Sequence, residues 1–567
     1  MDRLAYPRKR AVQACKICRR RRTKCDNQQP ACTSCTDLQI ECVYEEKDKS
    51  TFDAASCAIL QRLDGLEDLI RSGNSGDIAG HHQSTEQVST PRNQESPALA
   101  SPALERTDAS TLCRINIESV LSWPVFADLN LNEHLDLRYL LQSSVSTIEI
   151  PPLSITPDFE VERDLLDRFF QDVHIYNPVL EVEKVEEYSR HARFNGLSLD
   201  AQSCLLLLAL SLGSVYAVQK TPGSESSLNI HDSAALREAD GFFFAAQKRM
   251  GVLLCSSGLV EAQCFFLAGV YLMARLRPIE AWKMFVQALA CCQGFPMKRS
   301  SDNSQSVEEL QLQESIYWTC FKSELELRLE LNVANNNAWD LTYPEFFPTP
   351  PKGLKAKNEA VWYFYLAEIA LRRLSNRILI YIYQHKSSQP SSVSLADAIP
   401  NFEQQAEEWL ATLPPALNLS SAANVLDGPN NEHAALRFIL DGHLIDCYEM
   451  MYWPFLVSLI HGTLFGDLQS PSFAQKGIIT CIQRIHKNEG GFYKRHHGTW
   501  LMIRSCTRSA LVLVAVFRAG LDSLLPPDWE EAVRKVIRML RYWREEAKDV
   551  PDRLDLLERL MKYTRLQ

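Results

Sequence analysis

The sequence predicts a mainly α protein: a small N-terminal six-cysteine module, a short coiled coil, a flexible linker and a large all-α domain. Three observations carry that prediction. Six of the seventeen cysteines fall within residues 15–42. From about residue 112 apolar residues recur at helical spacing. Alternating strand patterns are almost absent, with Val145 to Ile150, closed by Pro151-Pro152, as one weak exception. The implied boundaries are 1–44, 45–71, 72–114 and 115–567. At 567 residues the chain is too long for one core, and 46% apolar with 23% charged residues is an ordinary globular mixture.

The six clustered cysteines are Cys15, Cys18, Cys25, Cys32, Cys35 and Cys42. One half-motif, Cys-x2-Cys-x6-Cys, is written twice. A zinc ion wants four ligands in a tetrahedron. Two separate ions would need eight thiolates, whereas six suffice if two thiolates bridge both metals. The repeat supplies a natural bridging pair, Cys15 and Cys32. One Zn²⁺ then takes Cys15, Cys18, Cys25 and Cys32, and the other takes Cys15, Cys32, Cys35 and Cys42. Pro30 lies in the connection between halves, where a fixed φ helps the chain turn. A disulfide framework belongs to small secreted domains, and residues 1–20 lack the apolar stretch of a secretory signal. One zinc with two spare thiols would leave the duplication without a purpose.

Residues 15–42 resemble the fungal binuclear zinc cluster (Zn2Cys6) family, with all six ligand positions matched. The resemblance implies two short helices around two Zn²⁺ ions, with one helix end placed in the DNA major groove. It also implies double-stranded DNA as the partner, read as CGG-like half-sites.

The charge distribution agrees. Net charge is −10, but residues 1–44 hold ten Lys/Arg against four Asp/Glu, a net of +6, and the remainder carries −16. Six thiolates and two Zn²⁺ sum to −2, so the metal core itself does not draw phosphate. The surrounding cations must do so. Candidate DNA-binding residues are Arg8, Lys9, Arg10, Lys16, Arg19, Arg20, Arg21, Arg22 and Lys24. Relatives read bases mostly with a Lys three residues before the third cysteine, and Arg22 stands there instead. Both side chains can donate to guanine O6 and N7. Arg21 is the second candidate for base contact, while Arg19, Arg20 and Lys24 suit phosphate. The same basic clusters suit a nuclear localisation signal, so the expected compartment is the nucleus.

After a polar linker, Ile59, Leu63, Leu66 and Ile70 recur at spacings of 4, 3 and 4, a heptad seam extended backwards by Phe52 and Ser56. Such a seam after a zinc cluster points to a homodimer that binds two half-sites. Residues 72–111 are rich in Gly, Ser, Gln, Thr and Pro and read as a flexible linker.

The large domain shows several apolar stripes. Leu165, Leu166, Phe169, Phe170 and Val173 share one face. Trp529, Val533, Val536, Leu540 and Trp543 form another. Leu554, Leu557, Leu560 and Met561 follow Pro551. Several stretches resemble the middle homology (regulatory) region of the same family. Among them are Ser122-Trp123-Pro124-Val125-Phe126, Phe169 to His174 with Asn177-Pro178, Ala262 to Leu267, and Ile316 to Phe321. Glu324, Glu326, Arg328 and Glu330 read as a charged helix face, and His496-His497 as core or surface. The other eleven cysteines read as small packing residues.

No phosphate loop, His-Glu-x-x-His or Gly-x-Ser-x-Gly motif occurs, so an enzyme is not expected. The longest apolar run, Cys204 to Val218, is shorter than the roughly 20 residues of a bilayer span, so no membrane partner is expected. The expectation is a transcription factor for RNA polymerase II genes, of a secondary-metabolite cluster or a catabolic pathway. Coregulators or transcription machinery and a small-molecule effector are further expected partners. The alternative is a DNA-bound scaffold or corepressor without intrinsic activation.

Overall fold

The structure, a computed structural model, describes residues 15–43 (except 22, 24, 27 and 29), 114–129, 131, 137, 141, 158–216, 233–295, 307–332, 347–350, 356–387, 395–419, 433–462 and 471–564. Side chains at 19, 356–358, 383–387 and 563–564 are excluded. The chain divides into two units, Met1–Ser101 and Pro102–Gln567. Among the described residues there is no strand. The seam Ile59–Leu63–Leu66–Ile70, residues 72–111 and the Val145–Ile150 stretch lie outside the described residues.

The first unit contains α1 (Lys16–Arg21) and α2 (Thr33–Asp37). Its buried cluster is four cysteines, Cys15, Cys18, Cys32 and Cys35, with Ile17, Cys25 and Cys42 packed against it. That is far too little apolar surface to offset the entropy of ordering the segment.

The second unit is built of helices joined in sequence and packed on their chain neighbours. Residue 117 opens α3 (Ile117–Leu121), followed by α4 (Phe159–Arg168), α5 (Val182–Asn195), α6 (Ala201–Tyr216), α7 (Ala234–Leu253), α8 (Leu259–Ala274) and α9 (Pro278–Cys292). Then come α10 (Val307–Leu331), α11 (Ala356–Ser387), α12 (Leu395–Thr412), α13 (Ala434–His461), α14 (Pro471–Asn488), α15 (Thr499–Arg518), α16 (Trp529–Trp543) and α17 (Val550–Thr564).

Burial follows from composition. In α8 every residue from Ala262 to Ala274 is buried, as a helix apolar on all sides must be. Its one buried amide, Gln263, donates to the Val179 carbonyl at 2.7 Å. The predicted run Cys204 to Val218 largely coincides with α6, which is buried almost throughout. Packing is close where α4 crosses α6. A Cβ at Gly213 would lie 2.1 Å from the Leu165 carbonyl oxygen, so the two backbones meet only because residue 213 has no side chain. In α16 the predicted stripe is buried, while Glu530, Glu531, Arg534 and Arg538 pair on the outer face. Trp123 meets Trp453 of α13 with ring centroids 5.5 Å apart.

Among the described residues one helix, α15, has the length and composition to cross a membrane. In this fold 83% of that window is buried in the protein, and it carries Arg504 and Arg508.

Those arginines reveal a departure from expectation. The charges of α10 do not form a solvated face. Glu324 accepts from Trp282 Nε1 at 3.1 Å and pairs with Arg328, Glu326 pairs with Arg372 at 2.7 Å, and Glu330 accepts from both Arg504 and Arg508. Arg504, 1% exposed, also binds Glu118 of α3 and Asp549, and Arg553 of α17 binds Glu118. Arg508 and Arg484 share Glu449 of α13. The sequence showed charges at helix spacing but not the partners that lie on other helices. The scattered cysteines pack as expected, with Cys255 the exposed exception among those described.

Candidate metal centre and nucleic-acid interface

The first unit is organised around sulfur. Cys15 precedes α1, Cys18 lies on its first turn, Cys32 caps α2 and Cys35 lies within it. The Thr23 N–H donates to the Cys18 carbonyl at 3.1 Å, ending α1, and the Lys16 N–H donates to the Val43 carbonyl at 2.8 Å, joining the module's two ends. Gln39, with φ of 51°, reverses the chain after α2. Asp26 accepts from the Thr33 N–H at 3.2 Å and from its hydroxyl, fixing the loop to the start of α2. Sequence reading did not single out Asp26. Its signal, an acid seven residues before a helix-opening threonine, is too common to notice.

The sulfur positions test the two-metal arrangement. A tetrahedron of thiolates at a Zn–S distance of about 2.3 Å has an S···S edge of about 3.8 Å. The Sγ atoms of Cys15 and Cys32 lie 3.7 Å apart, the edge that two bridged tetrahedra would share. Cys18 and Cys32 are 3.6 Å apart, an edge of the first tetrahedron, and Cys15 and Cys35 are 3.6 Å apart, an edge of the second. The ligand atoms of Cys15, Cys18, Cys32 and Cys35 all lie within 4.8 Å of one another, and Cys25 comes within that distance of Cys32. Asp26 approaches the same place, but its carboxylate is engaged by Thr33. The residues present fit two zinc ions.

The duplication seen in the spacing is also seen in hydrogen bonds. The Cys15 N–H points to Cys25 Sγ at 3.5 Å, and the Cys32 N–H points to Cys42 Sγ at 3.3 Å. Each half thus directs its first amide at its third sulfur, a contact that stabilises thiolate charge. Burial pushes the thiols of Cys32 and Cys35 up when no cation is present. Sulfurs this crowded ionise together only around metal.

Of the basic residues, Lys16, Arg20 and Arg21 are described, and all three are exposed on α1. The side chain of Arg19, and residues Arg8, Lys9, Arg10, Arg22 and Lys24, lie outside the described residues. A short basic helix held by a sulfur cluster, in a chain whose second unit is a large helical body, defines a zinc-dependent DNA-binding regulator.

The comparisons make that class specific. Residues 13–51 match the fungal Zn(2)-Cys(6) binuclear cluster domain, and residues 166–327 match the fungal specific transcription factor domain. The chain carries the zinc-cluster and regulatory domains of fungal Zn2Cys6 transcription factors; the cluster domain binds two zinc ions and its partner is DNA. It is similar to the protein ecdB of Aspergillus rugulosus, whose name describes a transcription factor, with 24% identity over 501 residues, 80% of each chain. It is 22% identical to the thiamine repressible genes regulatory protein thi1 of Schizosaccharomyces pombe over 485 residues, 72% of this chain and 60% of that one. The transcription factor FBD3 of Gibberella moniliformis matches at 46% over 62 residues, 11% of this chain and 8% of its own.

Proposed function

We propose that this protein is a sequence-specific regulator of RNA polymerase II genes that acts in the nucleus as a homodimer. In this reading Cys15, Cys18, Cys25 and Cys32 hold one zinc, and Cys15, Cys32, Cys35 and Cys42 hold the other. The observation that carries it is the 3.7 Å separation of the Cys15 and Cys32 sulfurs, the length of the edge that two bridged tetrahedra would share. Arg22 and Arg21 read a CGG-like triplet, with Arg19, Arg20, Lys16 and Lys24 on phosphates. The seam Ile59–Leu63–Leu66–Ile70 pairs two chains. The helical body, 115–567, sets output through coregulators or the transcription machinery. A biosynthetic gene cluster or catabolic route is the proposed target set.

The test is binding of the zinc-loaded full chain to duplexes carrying paired CGG triplets, compared with scrambled duplexes. Arg22→Ala should weaken the CGG duplex by roughly 1–3 kcal/mol and relax the preference at that position. Equal weakening on every duplex would make Arg22 a phosphate contact. Metal analysis should find two zinc ions per chain, and a single ion would remove the bridged arrangement. Genome-wide footprints of the full chain would identify the target genes directly.

A further inference from the structure

The helical body holds a half-open cavity of about 220 Å³. That exceeds the engineered apolar cavity of about 150 Å³ that admits benzene. α10, α11, α13, α14 and α15 contribute to its wall, together with the segment before α3.

Three features of this wall are unlike ordinary core. The first is a missing side chain. Gly442 lies inside α13, where glycine weakens a helix relative to alanine. A Cβ built there meets nothing within 4 Å, in contrast to Gly213, where a backbone stands in the way. No neighbour requires the glycine, and the room it leaves belongs to the cavity.

The second is a concentration of unmet hydrogen-bonding capacity. Asn177 Oδ1, His496 Nε2 and His497 Nδ1 are buried without a partner, and all three residues line the cavity. The Gly498 N–H donates to His496 Nδ1 at 3.0 Å, which leaves the ring proton on Nε2. Burial pushes His496 down to about 3 and His497 to about 4, so both rings are neutral at physiological pH. Orphaned polar atoms are costly, and a cluster of them calls for a partner.

The third is a guanidinium left out of the ion pairs. Each carboxylate in the wall has a cation: Glu326 has Arg372, Glu368 has Lys322, and Asp446 has Arg484. Glu449 and Glu330 are held by Arg508. Arg114, half-buried at the same cavity, has neither a carboxylate nor a hydrogen-bond partner among the described residues. A bound molecule that carries a negative charge would give Arg114 a partner. The rings of Tyr176, Phe364 and Phe438 also line the space and suit a flat apolar group.

We propose that this cavity binds a small aryl carboxylate, its acid group paired with Arg114 and its ring among Tyr176, Phe364 and Phe438. Oxygen substituents on the ring would use the unmet groups of Asn177, His496 and His497. The proposal rests on reading the body as the regulatory part of the protein, and it assigns that part a ligand class.

The experiment is thermal unfolding of the zinc-loaded full chain with sodium benzoate or sodium 4-hydroxybenzoate, against benzamide and sodium chloride at equal concentration. A carboxylate about fivefold above its Kd should raise the melting temperature of the body by roughly 1 °C, with benzamide giving less. Arg114→Gln should melt like the parent without ligand, because Arg114 has no partner to lose among the described residues, and should abolish the benzoate shift. Gly442→Leu fills the cavity and should abolish the shift by occupying the space. Absence of a shift with either acid would overturn the proposal. So would an equal shift with benzamide, or a benzoate shift that survives Arg114→Gln. DNA binding is measured on the same samples. Intact DNA binding without a ligand shift removes the cavity proposal alone, and a ligand shift without DNA binding removes the proposed function alone.

Discussion

The two units reach a fold by opposite routes. In the first, the buried cluster is four cysteines with Ile17, Cys25 and Cys42 around them, and two short helices are held by what those sulfurs bind. In the second, a main apolar core runs from Ile117 to Met561 beside smaller ones, and buried charged groups are matched across helices. The first unit therefore takes its stability from a ligand and the second from its own side chains. Conditions that remove one source should leave the other standing.

The largest separation between them should come from chelation. Structural zinc contributes roughly 10–16 kcal/mol in finger-like peptides, so stripping it should unfold residues 15–43 and abolish DNA binding. All ten tryptophans lie at or beyond position 123, so tryptophan fluorescence should remain that of the folded body. Joint loss of both signals would show that the body depends on the metal.

The reverse experiment is Arg504→Met, which takes one arginine from each of Glu118, Glu330 and Asp549 inside the body. Removing one partner of a buried charge cluster costs roughly 3–5 kcal/mol. Denaturant titration should show that loss, while zinc content stays at two per chain. A loss below about 1 kcal/mol would mean that solvent reaches the cluster.

Acid should separate the units more gently. His496 and His497 are held at about 3 and about 4 by burial, against an ordinary value of about 6.5. Between those values the unfolded chain takes up protons that the folded body refuses. Stability is complete above about pH 6.5 and declines as pH falls toward 4. His497→Gln should flatten this decline by roughly 1–3 kcal/mol, and an unchanged slope would show that His497 is protonated in the fold. The smallest effect concerns α13. Gly442→Ala should stabilise the body by roughly 0.5–1 kcal/mol, because the new Cβ meets no neighbour.

The same contrast explains what could be read from the sequence. Ligand spacing in the cysteine module is local, so six positions within twenty-eight residues were enough to expect two metals and a bridging pair. Helix faces such as Trp529 to Trp543 were equally legible, since periodicity is written along the chain. The cavity was not. It is assembled from Arg114, Asn177, Gly442 and His496, which no sequence window contains together. By sequence His496-His497 reads as core or surface, yet both residues line the same wall. Glu326 and Glu330 looked solvated because their arginines arrive from other helices.

The contact between Glu118 and Arg553 joins residues 435 positions apart, and the same Glu118 carboxylate also accepts from Arg504. The body is in effect a loop closed by a clasp. Anyone who trims it from either end opens the same clasp. A fragment cut to the matched segment 166–327 would lose α3, α15 and α17 together and would end within α10, before Glu330. For work with fragments, the smallest sensible piece begins before Glu118 and ends after Arg553.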